Sequence, residues 1–219
     1  IIFMDSVASL YGRNNLHHIV KSVAKEIYIP MTVGGGIRSL KDIENLLMSG
    51  ADKVAINTAL FKNPDLVSQV SKHFGAQCMV VSIDVVKENN GKYMCLTDNG
   101  RERSGFELFE WVKKVVDLGA GELLLTSVDR EGTGRGYDVD LTKNVSSAVN
   151  IPVITCGGGG SKEHILEVAS SGNADAIAVS SMFHYDTVNK ILNHKASDTG
   201  NKDFLNRTIN EIMRKGIDS

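Results

Sequence analysis

Residues 29–50 read IPMTVGGGIRSLKDIENLLMSG, and residues 151–172 read IPVITCGGGGSKEHILEVASSG. The two stretches align without a gap at an offset of 122, and eight of the 22 positions are identical: Ile29/Ile151, Pro30/Pro152, Gly35/Gly157, Gly36/Gly158, Ser39/Ser161, Ile43/Ile165, Ser49/Ser171 and Gly50/Gly172. With one inserted residue the match continues through Asp52/Asp175 and Ala55/Ala178. Each copy holds an apolar run, a glycine turn, an amphipathic stretch and a second apolar run, which reads as strand, loop, helix, strand. Four strand–helix units of ~30 residues fill about 120 residues, so the offset equals half of a barrel of ~250 residues. Regular alternation alone would equally allow an open doubly wound sheet. The repeat decides for an α/β fold, a (β/α)8 TIM barrel with twofold internal repetition.

The rest of the chain follows the same rhythm. Strands are expected at 1–5, 31–34, 53–57, 79–85, 123–127, 153–156 and 176–180, several of them apolar on both faces as buried parallel strands are. Helices are expected at 16–27, 40–48, 65–74, 106–118, 141–149 and 163–170. Ser39 with Asp42 forms a capping-box pattern, and Asn63-Pro64 suggests a cap followed by proline at the first helical position. Residues 87–104 break the rhythm with Asn90-Gly91 and Asn99-Gly100 around 92–97, an inserted β-hairpin. Nothing resembling a linker divides residues 1–219, so one domain with a helical tail at about 186–219 is expected. Seven strands are counted, and the chain opens Ile-Ile-Phe-Met-Asp without an initiator Met. The first βα unit is therefore expected to lie upstream of Ile1.

Composition narrows the function. Lys+Arg 24 against Asp+Glu 26 leaves no basic field for nucleic acid, and no apolar run approaches a membrane span. Three scattered cysteines, without a C-x-x-C pair, suggest a reducing cytoplasm and no thiolate metal site. The six histidines show no ligand spacing, so neither metal nor cofactor is expected. Trp111 sits at core spacing with Phe106 and Val115.

Two signals carry chemistry. The glycine runs at 34–36 and 157–160, each between strand and helix, can turn backbone N–H groups toward an anion beside a helix N-terminus. Each copy also ends in small polar residues at the next strand terminus, Asn57-Thr58 and Ser180-Ser181. Gly35, Gly36, Asn57 and Thr58 form one expected cup. Gly158, Gly159, Ser180 and Ser181 form the other, with Gly132 available from the preceding loop. Two cups across one barrel mouth imply an elongated small molecule with a phosphate at each end. The second signal is a pair of carboxylates closing apolar strands, Asp5 and Asp84, where a barrel strand points into its active mouth. Thr126 ends a neighbouring strand within reach of a substrate, Asp129 reads as a loop-structuring residue, and Lys53 reads as a solvated charge at the opposite rim.

TVGGGIRS (32–39), GADKVAIN (50–57), FGAQCMVVSIDV (74–85), GAGELLLTSVDREGTGRGYD (119–138) and IPVITCGGGG (151–160) closely resemble the cyclase subunit of imidazole glycerol phosphate synthase. The resemblance runs from Ile1 to about Tyr185. It implies a cytoplasmic barrel that receives ammonia from a glutaminase partner docked at its N-terminal face. That ammonia acts on a bisphosphorylated formimino-aminoimidazole ribotide to give imidazole glycerol phosphate and aminoimidazole carboxamide ribotide. By this resemblance Asp84 is one of two acid–base aspartates, and Asp5 and Thr126 line the substrate. Lys53 and Glu122 belong to a charged gate through which ammonia enters, which revises the bland reading of Lys53.

The family's other aspartate belongs to the strand expected upstream, so little activity is expected of residues 1–219 alone. Cys156 stands where serine is expected, and Gly159 where alanine is. The stretches at 9–15 and 193–207 depart most from the pattern. They suit a paralogue that builds amidines on surface-polysaccharide sugars. A non-catalytic barrel that only docks a glutaminase is the remaining alternative.

Overall fold

The structure, a computed structural model, describes residues 1–5 and 16–193, with side chains to 188. Nine strands and eight helices are formed among them, in two compact units, Ile1–Val179 and Ser180–Ser219. In the first unit, β1 (Ile2–Met4), β2 (Thr32–Gly34), β3 (Lys53–Ile56), β4 (Met79–Lys87), β7 (Glu122–Ser127), β8 (Val153–Cys156) and β9 (Ala176–Ile177) lie side by side in chain order. Every neighbouring pair along this path is parallel. Sequential parallel staves with a helix after each are the construction of a (β/α)8 barrel. The open doubly wound alternative reverses strand order partway, and this sheet does not.

The helices are α1 (Leu16–Val23), α2 (Leu40–Met48), α3 (Thr58–Lys62), α4 (Asp65–Phe74), α5 (Leu108–Asp117), α6 (Val139–Ala148) and α7 (Lys162–Ser170). A last helix, α8 (Ser181–Asn193), belongs to the second unit. The apolar stripes of α1 to α6 and the outward faces of the strands make the main core, which includes Val33, Ile43, Val54, Leu66, Met79, Val81, Ile83, Leu123 and Val145. Alternate residues on the strands point the other way. Ala55, Val80 and Leu124 are buried there with Ile2, Ile154, Cys156 and Ala178 against them, and they fill the barrel interior.

The repeat is a repeat of bonds as well as letters. Asp52 Oδ2 accepts from Met31 N at 2.7 Å, and Asp175 Oδ2 accepts from Val153 N at 2.9 Å, so the paired aspartates tie equivalent strand starts. Ser39 caps α2 in a full capping box with Asp42, and Ser161 caps α7 through His164 N. Gly35 (φ +102°) and Gly157 (φ +97°) both need positive φ. A Cβ on either would strike the preceding stave's end, Asp5 O at 2.3 Å or Ser127 O at 2.6 Å.

Two local expectations are corrected. Asn63 makes no side-chain cap; Pro64 precedes α4. The reason is the unforeseen α3, which ends at Lys62 and leaves Asn63 in a bend whose N–H bonds Ala59 O. Phe61 of α3 stacks on Trp111 at 4.2 Å, and Phe106 packs on the same indole at 5.1 Å. This buries Trp111 completely, as its spacing predicted.

The insertion is a meander of β4, β5 (Tyr93–Thr97) and β6 (Glu102–Glu107). Asp98, Asn99 and Gly100 turn it with positive φ. The stretch at 9–15 and, past Asn193, the polar stretch at 193–207 lie outside the described residues.

Candidate functional site

Parallel staves put their C-terminal ends on one rim. Register fixes the order along it: Gly34 pairs with Ala55, Asp84 with Thr126 and Thr126 with Cys156. Asp84 therefore lies between the two glycine loops, with Asn57 on its first-loop side and Thr126 on its second-loop side. Asn57 Nδ2 donates to Asp84 Oδ2 at 3.0 Å, and Thr126 also bonds this carboxylate. Burial raises the Asp84 pKa to about 6, a rise that the two hydrogen bonds oppose and the nearby Glu131 charge assists. A carboxyl balanced near neutrality, held by two side chains on adjacent staves, can take and return a proton. Asn57 Nδ2 spends one of its two hydrogens on Asp84 and keeps the other as a donor, while Oδ1 is a buried acceptor without a partner among the described residues.

The first loop carries Gly35 and Gly36, both at positive φ. Asp5 N donates to Gly34 O at 2.9 Å, so Asp5 closes against this loop. Thr58 Oγ1 accepts from Asp98 N at 2.9 Å, which leaves its proton for another acceptor. The hairpin tip is thus tied beside the first loop.

The second loop is built against the segment after β7. Gly136 N donates to Gly158 O at 2.8 Å, and a Cβ on Gly158 would lie 2.1 Å from Gly136 O. Gly159 is packed on the Tyr137 hydroxyl, which donates to Ala178 O at 3.1 Å. Gly132 is exposed at positive φ on the same segment. Ser180 and Ser181 open the second unit. Ser180 O accepts from His184 N at 3.1 Å, and Ser181 begins α8. Asp129 accepts from Lys87 N at 2.7 Å, the structuring role expected of it.

At the other rim, Lys53 Nζ forms an ion pair with Glu122, both side chains partly shielded. The solvated Lys53 expected from position alone is corrected here: a carboxylate two staves away on the same face claims it. Three features were not foreseen. Glu131 reaches within 4.0 Å of Cys156 Sγ and repels a charge on Asp84, but it sits in an irregular loop where no period marks it. Tyr137 and His164, whose Nδ1 accepts from Gly160 N at 3.2 Å, shape the second loop. Among the described residues no cluster could hold a metal ion, and no helix is long and apolar enough to cross a membrane.

A family model described as "Histidine biosynthesis protein" matches residues 1–189. The chain is 56% identical over 163 residues to imidazole glycerol phosphate synthase subunit HisF of Legionella pneumophila, covering 74% of this chain and 77% of that protein. It is 46% identical over 188 residues to the subunit of the same name from Alkaliphilus metalliredigens (strain QYMF), covering 86% and 75% respectively.

Proposed function

We propose, from the premise that this chain belongs to the histidine biosynthesis protein family, that its rim carries the cyclase reaction of imidazole glycerol phosphate synthase with Asp84 as an acid–base group. The chain is an enzyme of that cyclase type. Its substrate is a bisphosphorylated formimino-aminoimidazole ribotide, one phosphate on Gly35, Gly36, Asn57 and Thr58, the other on Gly158 and Gly159 with Gly132. Asp5 and Thr126 flank the atoms between. The observation that carries this reading is the place of Asp84: one carboxyl, pKa raised to about 6, on the stave between two glycine loops of one repeat.

Glycine N–H groups and helix N-termini favour the two dianions, which stretch the ligand across the rim. Its reacting centre then meets Asp84. Ammonia adding to an electrophilic carbon must shed a proton, and a carboxylate with pKa near 6 is mostly ionised at neutral pH and able to accept it. The same group returns a proton to the leaving nitrogen when imidazole glycerol phosphate and aminoimidazole carboxamide ribotide separate.

Ammonia enters at the opposite rim, where Lys53 and Glu122 form the gate and Ala55, Val80 and Leu124 line the way in. Both similar proteins are named as subunits, and a glutaminase is the partner we assign to this N-terminal face. Tyr28 (97% exposed) and Ile29 (59% exposed) lead into β2 there and offer apolar surface for docking. The test is turnover by the protein expressed from its gene, supplied with ammonium and the ribotide. Release of aminoimidazole carboxamide ribotide that vanishes in Asp84→Asn is expected. Turnover unaffected by that change would refute the assignment.

A further inference from the structure

The segment between β7 and α6 holds one wall of the second glycine loop, yet Gly132, Gly134 and Gly136 all take positive φ along it. Such a chain is costly to order, at about 1–2 kcal/mol per residue, unless its ends are pinned. Both pins are carboxylates, and both reach the same meander. Asp129 accepts from Lys87 N at 2.7 Å. Asp138 Oδ2 accepts from the Tyr93 hydroxyl at 2.9 Å, while its Oδ1 caps α6 through Leu141 N at 2.9 Å. Tyr93 is 6% exposed, and the Lys87 ammonium lies 5.3 Å from its ring centroid. Burial and the Asp138 contact hold the phenol well above its usual pKa, so it stays a donor.

From Asp138 the connection to the loop is two residues long: Gly136 N bonds Gly158 O, and Tyr137 packs on Gly159. We infer that Tyr93 is a positioning residue for the second glycine loop, fixing through Asp138 the wall against which a phosphate binds. The inference rests on the reading of that loop as an anion cup. The meander is then more than an insertion, because its base sets one cup while its tip, through Asp98 N, orients Thr58 in the other.

Tyr93→Phe keeps the buried ring and deletes one oxygen. Amide chemical shifts of the full protein are followed as inorganic phosphate is added. The expected result is an apparent Kd about five- to tenfold weaker at Gly157–Gly159, the scale of one ordinary intramolecular hydrogen bond, and within twofold of wild type at Gly35 and Gly36. In ammonium-driven turnover, KM for the ribotide rises by the same factor while kcat stays within twofold. Asp138→Ser, which keeps a capping oxygen but falls short of Tyr93, has the same effect, and the double variant is no worse than either. A purely structural hydroxyl would lower Tm and leave the two phosphate sites in unchanged ratio. That outcome, or equal weakening at both loops, overturns the inference. Absence of phosphate from both loops of the unsubstituted protein overturns the cup reading and this inference with it.

Discussion

Asp84→Asn separates chemistry from stability. Burial raises this carboxyl from 3.8 to about 6. At about 1.36 kcal/mol for each tenfold change in proton affinity, the ionised side chain costs the fold about 3 kcal/mol at neutral pH. The sign follows from linkage. The folded chain holds this proton more tightly than the unfolded one, so the contribution of Asp84 to stability is greatest below about pH 4. It falls as pH rises from about 4 to 6 and stays reduced above 6. An amide of the same shape carries no charge, and its oxygen still accepts from Asn57 Nδ2. The variant is therefore expected to be more stable than wild type at pH 7.5 by about 2–3 kcal/mol, a Tm rise of about 4–10 °C for a chain of this size. The gain should shrink to nothing near pH 4, while turnover falls at least a hundredfold. Urea and thermal melts at pH 4, 6 and 7.5 measure the first effect, and ammonium-driven product release measures the second. A variant less stable than wild type at pH 7.5, or a gain independent of pH, would refute the claim that Asp84 is a desolvated carboxylate.

The same carboxyl should shape the pH profile. With free ammonia held constant, kcat/KM for the ribotide is expected to rise through an apparent pKa near 6, and Glu131→Gln should move that limb to lower pH by removing a like charge. Gly158→Ala forces a Cβ to within 2.1 Å of Gly136 O at φ +100°; a loss of about 1–3 kcal/mol in stability and a raised ribotide KM are expected in melts and steady-state kinetics. Lys53→Met removes the cation paired with Glu122. Glutamine-driven turnover in the presence of the glutaminase should fall several-fold more than ammonium-driven turnover, measured side by side.

What is readable in the chain is whatever recurs. The 122-residue offset exposes the staves, their glycine turns and the serine caps, because a duplicated unit must solve the same backbone problem twice. Asp52 and Asp175 illustrate it: they match as letters and prove to tie the same strand starts. Asp84 is visible because a carboxylate that ends an apolar strand is costly to desolvate, and such a cost marks a site. Glu131, Tyr93 and Tyr137 are not visible, since their roles depend on where an irregular glycine-rich segment is pinned and no local period records that. The cap assigned to Asn63 fails for a related reason. The short helix α3 exists because Phe61 finds Trp111, a contact 50 residues away in the chain that local propensity cannot register. Lys53 is misjudged from position alone because its counter-ion is two staves distant.

The most direct test of the account is a crystal structure of the protein with the bisphosphorylated ribotide, or an unreactive analogue, bound. One phosphate is expected on the amides of Gly35 and Gly36 and the other on those of Gly158 and Gly159, with the Asp84 carboxylate within hydrogen-bond distance of the atoms between. A ligand with both phosphates away from the glycine loops, or an Asp84 side chain turned from the ligand, would contradict it.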